Sequence, residues 1–174
     1  MKVKDVMFGE VKTCSANDDL SRAAQIMWEN DCGVVPVVEA DEDVVGMITD
    51  RDACMAAYTR GLPLNAIRVG DVMSRQVKSV RAEEDAGTAT AAMRELRVRR
   101  VPVVDALGRL VGIVSLGDLA RRASSGNSKG ISRDSVLETL ASVCRPWTSS
   151  RSDAVKPQAA ALNESLVLHP QPAH

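Results

Sequence analysis

Aromatic residues are scarce: phenylalanine, tryptophan and tyrosine make up 2% of the 174 residues. The core must therefore be aliphatic. Base recognition by stacked rings, on which single-strand nucleic-acid modules depend, is not expected. Histidine is scarcer still, with only His169 and His174 near the C-terminal end. Residues 1–123 thus hold no imidazole to activate a serine or cysteine and no general base with an ordinary pKa near neutrality. The four cysteines, Cys14, Cys32, Cys54 and Cys144, form no C-x-x-C pair, so neither a zinc site nor a redox motif is signalled. No H-E-x-x-H, P-loop or G-x-G-x-x-G is present. No run approaches the roughly 18–20 apolar residues of a membrane helix. The opening MKVKDVMFGE lacks the apolar stretch of a secretory signal. These absences predict a non-enzyme of the cytoplasm, with no membrane or nucleic-acid partner and no required cofactor or metal.

The chain is 45% hydrophobic, enough for a core, and the hydrophobic segments repeat. Lys4-Asp5-Val6-Met7 returns as Gly70-Asp71-Val72-Met73. Val35-Pro36-Val37-Val38 returns as Val101-Pro102-Val103-Val104, and Val45-Gly46-Met47-Ile48-Thr49 as Val111-Gly112-Ile113-Val114-Ser115. Asp52 returns as Asp118, and every pair is separated by the same 66 residues, without a gap. A duplicated unit explains this better than chance. Cys14, Cys32 and Cys54 align with Val80, Val98 and Ala120, so they read as small packing residues.

Each copy reads as β-α-β-β-α. Val11–Cys14 and Val77–Val80 suggest first strands. Leu20, Ala23, Ala24 and Met27, and then Ala86, Ala89, Met93 and Leu96, have helical spacing behind acidic starts. The strands Val34–Val38 and Val44–Ile48, and Val101–Val104 and Leu110–Val114, are continuously apolar, which fits strands covered on both faces. Closing helices begin near Asp50 and Leu116. One copy of about 60 residues buries too little alone, so the two should share a core. The division is copy 1 over 2–60, a linker over 61–67, copy 2 over 68–123 and a Ser/Gly linker over 124–131. A short amphipathic helix over 132–144 follows, with Val136, Leu137, Leu140 and Val143 on one face. A Ser/Pro/Ala-rich, disordered tail over 145–174 ends the chain.

The charge is unevenly spread: residues 1–66 hold 6 Lys/Arg against 12 Asp/Glu, and residues 67–123 hold 11 against 7. An acidic half and a basic half can support pairing of two chains by opposite faces; a chance imbalance of solvated surface is the alternative.

The order D-V-M, h-h-P-V-V, G-h-h-[ST]-x-x-D, met twice, resembles the CBS domain, and the pair resembles a Bateman module over about residues 2–123. Gly46–Asp52 and Val98–Val103 are similar to stretches in small stand-alone bacterial proteins of this type. The resemblance implies an α/β (in some schemes α+β) fold of two copies packed through their sheets with pseudo-two-fold symmetry. It also implies a homodimer, and clefts that take AMP, ADP, ATP or S-adenosylmethionine. Thr49 and Ser115 sit where a strand turns into a helix, beside free N–H groups that suit a phosphate. Asp52 and Asp118, three residues on, can accept from ribose hydroxyls. By resemblance, Val34, Val35 and Pro36 line an adenine slot in one copy and Arg100, Val101 and Pro102 in the other, while Thr13 and Ser79 contact base or ribose. The same [ST]-x-x-D is equally a helix cap. The two sites differ: Arg51 aligns with Gly117, and Val34 with Arg100. Arg97, Arg99 and Arg100 are either phosphate ligands or a solvated face. An acidic copy 1 would disfavour a polyanion, which suggests that one site is empty or takes a less charged ligand.

Two functions fit: a regulatory sensor of an adenosine ligand acting on an unidentified protein, or a dimeric scaffold that docks a partner through the helix near 132–144.

Overall fold

The computed structural model describes residues 1–125 and 130–146. Copy 1 contains α1 (Leu20–Glu29), β1 (Val34–Val38), β2 (Val44–Thr49) and α2 (Asp50–Arg60). Copy 2 contains β3 (Val80–Arg81), α3 (Ala86–Leu96), β4 (Arg100–Val104), β5 (Leu110–Ser115) and α4 (Leu116–Ser124); α5 (Arg133–Val143) follows. β1 and β2 pair antiparallel, as do β4 and β5, with the same bulge after Val37 and after Val103. β3 joins β4 in parallel. In place of the one shared core expected, two cores form, one around Leu20, Val35, Val37 and Ile48, the other around Met93, Val101, Val103, Val114 and Leu119. They are aliphatic, as the shortage of aromatic residues requires. Asp43 and Arg109, equivalent in the repeat, bridge each other, which puts a pseudo-two-fold axis between them.

The two copies exchange their leading segments. Val3 N–H donates to Glu84 O (2.9 Å) and Lys4 N–H to Ala82 O (3.0 Å). Sixty-six residues on, Val69 N–H donates to Asp18 O (2.8 Å) and Gly70 N–H to Ala16 O (2.9 Å). Val3 is therefore part of the copy-2 core, and Ile67, Val69 and Met73 are part of the copy-1 core. Neither half can complete its core without the other, the structural counterpart of each being too small alone. Phe8 then pairs with Ile113 on β5, and Ser74 pairs with Met47 on β2.

The exchange explains the repeated motifs. A Cβ on Gly46 would stand 2.5 Å from Met73 Sδ and 3.1 Å from Ser74 O. One on Gly112 would stand 2.7 Å from Met7 Sδ and 2.9 Å from Phe8 O. The glycine of each V-G-h motif leaves room for the methionine of the other copy's D-V-M.

The exchange also corrects the first strands. In copy 1 the expected Val11–Cys14 strand is reduced to one bridge, Cys14 with Val37; in copy 2 only Val80–Arg81 pairs. Val11–Thr13 and Val77–Ser79 have to cross from one sheet to the other, so they cannot run along either.

The closing helix forms as expected, capped by Ser132, but its buried face differs. Val136 and Thr139 face inward, whereas Leu137 and Leu140 are exposed. Thr139 tolerates burial because its hydroxyl donates to Ser135 O (2.7 Å) and accepts from Arg94 Nη1 (3.2 Å). α5 packs on α3 and α4. Of the 124–131 linker, Ser124 belongs to α4 and residues 126–129 lie outside the described residues, as does the tail from 147. Cys14 is buried, and that burial, helped by the charge of Asp18, pushes its thiol up to about 11. Cys54, read as a packing residue, is instead exposed, because its helix turns that side away from the sheet.

Candidate functional site

Thr49 and Ser115 end β2 and β5 and cap the helices that follow. Asp52 N–H donates to Thr49 Oγ1 (3.1 Å), while Thr49 N–H (3.0 Å) and the Thr49 hydroxyl (2.6 Å) donate to Asp52 Oδ2. Ser115 and Asp118 repeat this at 3.1, 2.9 and 2.6 Å. Each corner is thus a closed capping box, worth about 1 kcal/mol to its helix. In each box the carboxylate spends Oδ2 on the cap and keeps Oδ1 for something else.

The two corners part at Oδ1. Arg121, one turn along α4, is hydrogen-bonded to Asp118 Oδ1. The equivalent position in α2 is Met55, which carries no charge. Among the described residues, Asp118 has an arginine hydrogen-bonded to its second oxygen and Asp52 has none.

The cleft at Thr49 is large and cationic. A cavity of ≈ 470 Å³ is lined by Gly33, Val34, Met47 and Thr49–Asp52 of copy 1, and by Ser74, Gln76–Lys78 and Leu96–Pro102 of copy 2. This lies within the roughly 300–1,000 Å³ common for small-molecule sites. Arg51, Lys78, Arg97, Arg99 and Arg100 line it, against Asp50 and Asp52. The cations come chiefly from copy 2, across the pseudo-two-fold axis. The charge lining this cleft is therefore not that of copy 1 alone. Arg97 also donates to Arg145 O beyond the end of α5.

Among the residues singled out in the sequence, Thr49, Asp52, Arg51, Val34, Arg99, Arg100, Val101 and Pro102 come together in this cleft. Ser115 and Asp118 form the second corner. Thr13 lines a separate hollow of ≈ 100 Å³ with Gly9, Val11, Glu42 and Leu110–Gly112. Val35 is wholly buried in the copy-1 core, Pro36 is buried beside it, and Ser79 is exposed; none of the three lines the large cleft. Ser74, Gln76, Val77 and Lys78 were not singled out, because their approach depends on the exchanged segment. Its fixed register after Met73 is the signal that could have found them. At the second corner the repeat places Asp31–Val34 and Gly117 where the first has Arg97–Arg100 and Arg51. Among the described residues no group of histidine, cysteine and carboxylate side chains could hold a metal ion. No helix of the described residues is long and apolar enough to cross a membrane.

The family model described as CBS domain matches residues 3–58 and 69–125. The CBS domain-containing protein YhcV of Bacillus subtilis is 38% identical over 128 residues, 74% of this chain and 89% of that protein. Hypoxic response protein 1 of Mycobacterium tuberculosis is 31% identical over 143 residues, 82% of this chain and 94% of its own. The CBS domain pair of MJ0100, solved with 5′-methylthioadenosine and S-adenosyl-L-methionine, superposes with a TM-score of 0.61 at 28% identity, covering 70% of this chain and 94% of that one. CBSX2 in complex with AMP gives 0.59 at 25% identity, covering 70% and 95%.

Proposed function

The chain belongs to the CBS-domain family, and on that premise we propose that it is a regulatory module that binds an adenine nucleotide in the Thr49 cleft and passes the state of that cleft to a protein it controls. The observation that carries this is the meeting of Asp52, which among the described residues has no arginine hydrogen-bonded to it, with five cationic side chains lining one cavity. The carboxylate accepts from ribose hydroxyls, the helix start and Thr49 take a phosphate, and the arginines meet the remaining charge. Val34, Val101 and Pro102 supply an apolar wall for the base. S-adenosylmethionine, whose sulfonium is positive, fits these cations less well than AMP, ADP or ATP. Relatives solved with AMP or with S-adenosyl-L-methionine support the ligand class. The module works as a homodimer in the cytoplasm, performs no catalysis and needs no cofactor beyond this ligand.

Calorimetry tests the reading. An adenine nucleotide should bind at one site per chain with micromolar affinity, about −8 kcal/mol. Asp52→Ala should weaken it about 100-fold, and Asp118→Ala should change it little. Absence of heat with AMP, ADP, ATP and S-adenosylmethionine, or a loss confined to Asp118→Ala, would sink the proposal. A scaffold that docks a partner through α5 is the second reading, favoured by the outward Leu137 and Leu140, 61% and 44% exposed. Leu137→Arg should then abolish partner capture while nucleotide binding stays as it was.

A further inference from the structure

α5 is held unevenly along its length. Its first half is anchored by packing: Ile131, just ahead of it, and Val136 are buried in the copy-2 core, and Arg133 Nε reaches Ala123 O (3.4 Å). Thr139 is fully buried and accepts from Arg94 Nη1 (3.2 Å), with Glu138 Oε2 3.9 Å from the same guanidinium. Past Thr139 no described residue is buried. The end of the helix is met instead by Arg97, whose Nη2 donates to Arg145 O. A helix C-terminus leaves carbonyls without intrahelical partners and carries a partial negative charge. α5 has no basic residue in its own last turn, and Arg97 brings a cation there from another element.

Arg97 is also one of the five cations that line the Thr49 cleft. It stands at the joint between α3 and β4, in the left-handed region at φ 55°. Asp31, its counterpart in copy 1, holds φ 47°, so the backbone turn belongs to the repeat and the guanidinium to copy 2 alone. Trp28 and Asp31, at the positions of Arg94 and Arg97, line an open groove. The two arginines thus occur where a helix is seated. We infer that Arg97 is a latch shared by the cleft and the end of α5, and that a phosphate bound at Thr49 withdraws it from Arg145 O and loosens residues 140–144. The inference rests on the nucleotide reading above and adds the route by which the state of the cleft leaves it. A phosphate offers full negative charge and two acceptors to the planar guanidinium, whereas Arg145 O is a single neutral acceptor. The phosphate therefore takes the side chain. No buried side chain holds the last turn, so the loss is felt there and not in residues 133–139. The helix that the scaffold reading makes a docking element is then the one that the cleft adjusts.

Hydrogen exchange on the full chain tests the latch. With the protein saturated by ATP, or by AMP if ATP gives no heat, the amides of residues 140–145 should exchange about two- to tenfold faster, the effect of one lost hydrogen bond. Those of residues 133–139 should not change. Arg97→Met should exchange fast at 140–145 without nucleotide and gain nothing from it. Coupling is reciprocal, so a looser helix end must favour the ligand. Ala141→Gly, an exposed change in the last turn that alters no charge and no cleft residue, should tighten nucleotide binding about two- to fivefold. Absence of heat with every adenine nucleotide overturns the latch together with the function it rests on. Where a nucleotide binds, exchange at 140–145 that slows or stays level overturns the latch alone. Unchanged or weaker affinity in Ala141→Gly does the same.

Discussion

The corners at Thr49 and Ser115 share their hydrogen bonds to within 0.1 Å, yet the groups around them differ. Asp118 is held by Arg121 and has Gly117 for a neighbour. Asp52 has Met55 in place of the arginine, Arg51 beside it and the arginines of copy 2 across the cleft. Duplication preserved the backbone turn, because the cap stabilises a helix in both copies, and left the surroundings free to diverge. A family motif therefore marks two like corners, and the charges around them differ, with cationic side chains lining the Thr49 cleft and Arg121 seated on Asp118 at the other.

The comparison can be broken most severely at the two glycines. Gly112→Ala should cost about 2 kcal/mol, because its new Cβ meets the backbone of Phe8 as well as Met7. Gly46→Ala should cost about half as much, since the tightest contact there is with the flexible Met73 side chain and the Ser74 carbonyl is farther away. Urea denaturation of both variants gives the order; equal losses would refute the asymmetry. At the corners, Met55→Arg should imitate Arg121 and weaken nucleotide binding about tenfold. Arg121→Met should release Asp118 without making a second strong site, since Gly117 and Val34 remain; calorimetric stoichiometry decides this. The smallest effect lies in the hairpin turns, where Glu42 holds φ 63° and its counterpart Gly108 holds φ 89°. Glu42→Gly should stabilise the chain by about 0.5–1 kcal/mol, seen as a rise in Tm, because glycine carries no left-handed penalty.

The helices and the hairpins were legible because hydrophobic period and acidic starts are local properties. The helix caps formed by Thr49 with Asp52 and by Ser115 with Asp118 were legible for the same reason. The short first strands were not, since Val11–Thr13 has strand character and is drawn out of its sheet only by the crossing of Phe8 to β5. Lys78 and Gln76 were missed at the cleft because they follow Ser74 into the other copy. The face of α5 was misread because Thr139 looks polar, yet it is satisfied by Ser135 and Arg94 and so can be buried where Leu137 is not.

The sequence by itself determined the duplication, the two capped corners and the aliphatic nature of the core, because each is written in residue types at fixed short spacing. Only the tertiary structure decided that the leading segments change places, that copy 2 arms the cleft of copy 1, and that one helical face is covered while its equivalent stays open. Those outcomes depend on contacts between residues far apart in the chain, set by which half-core each segment must complete.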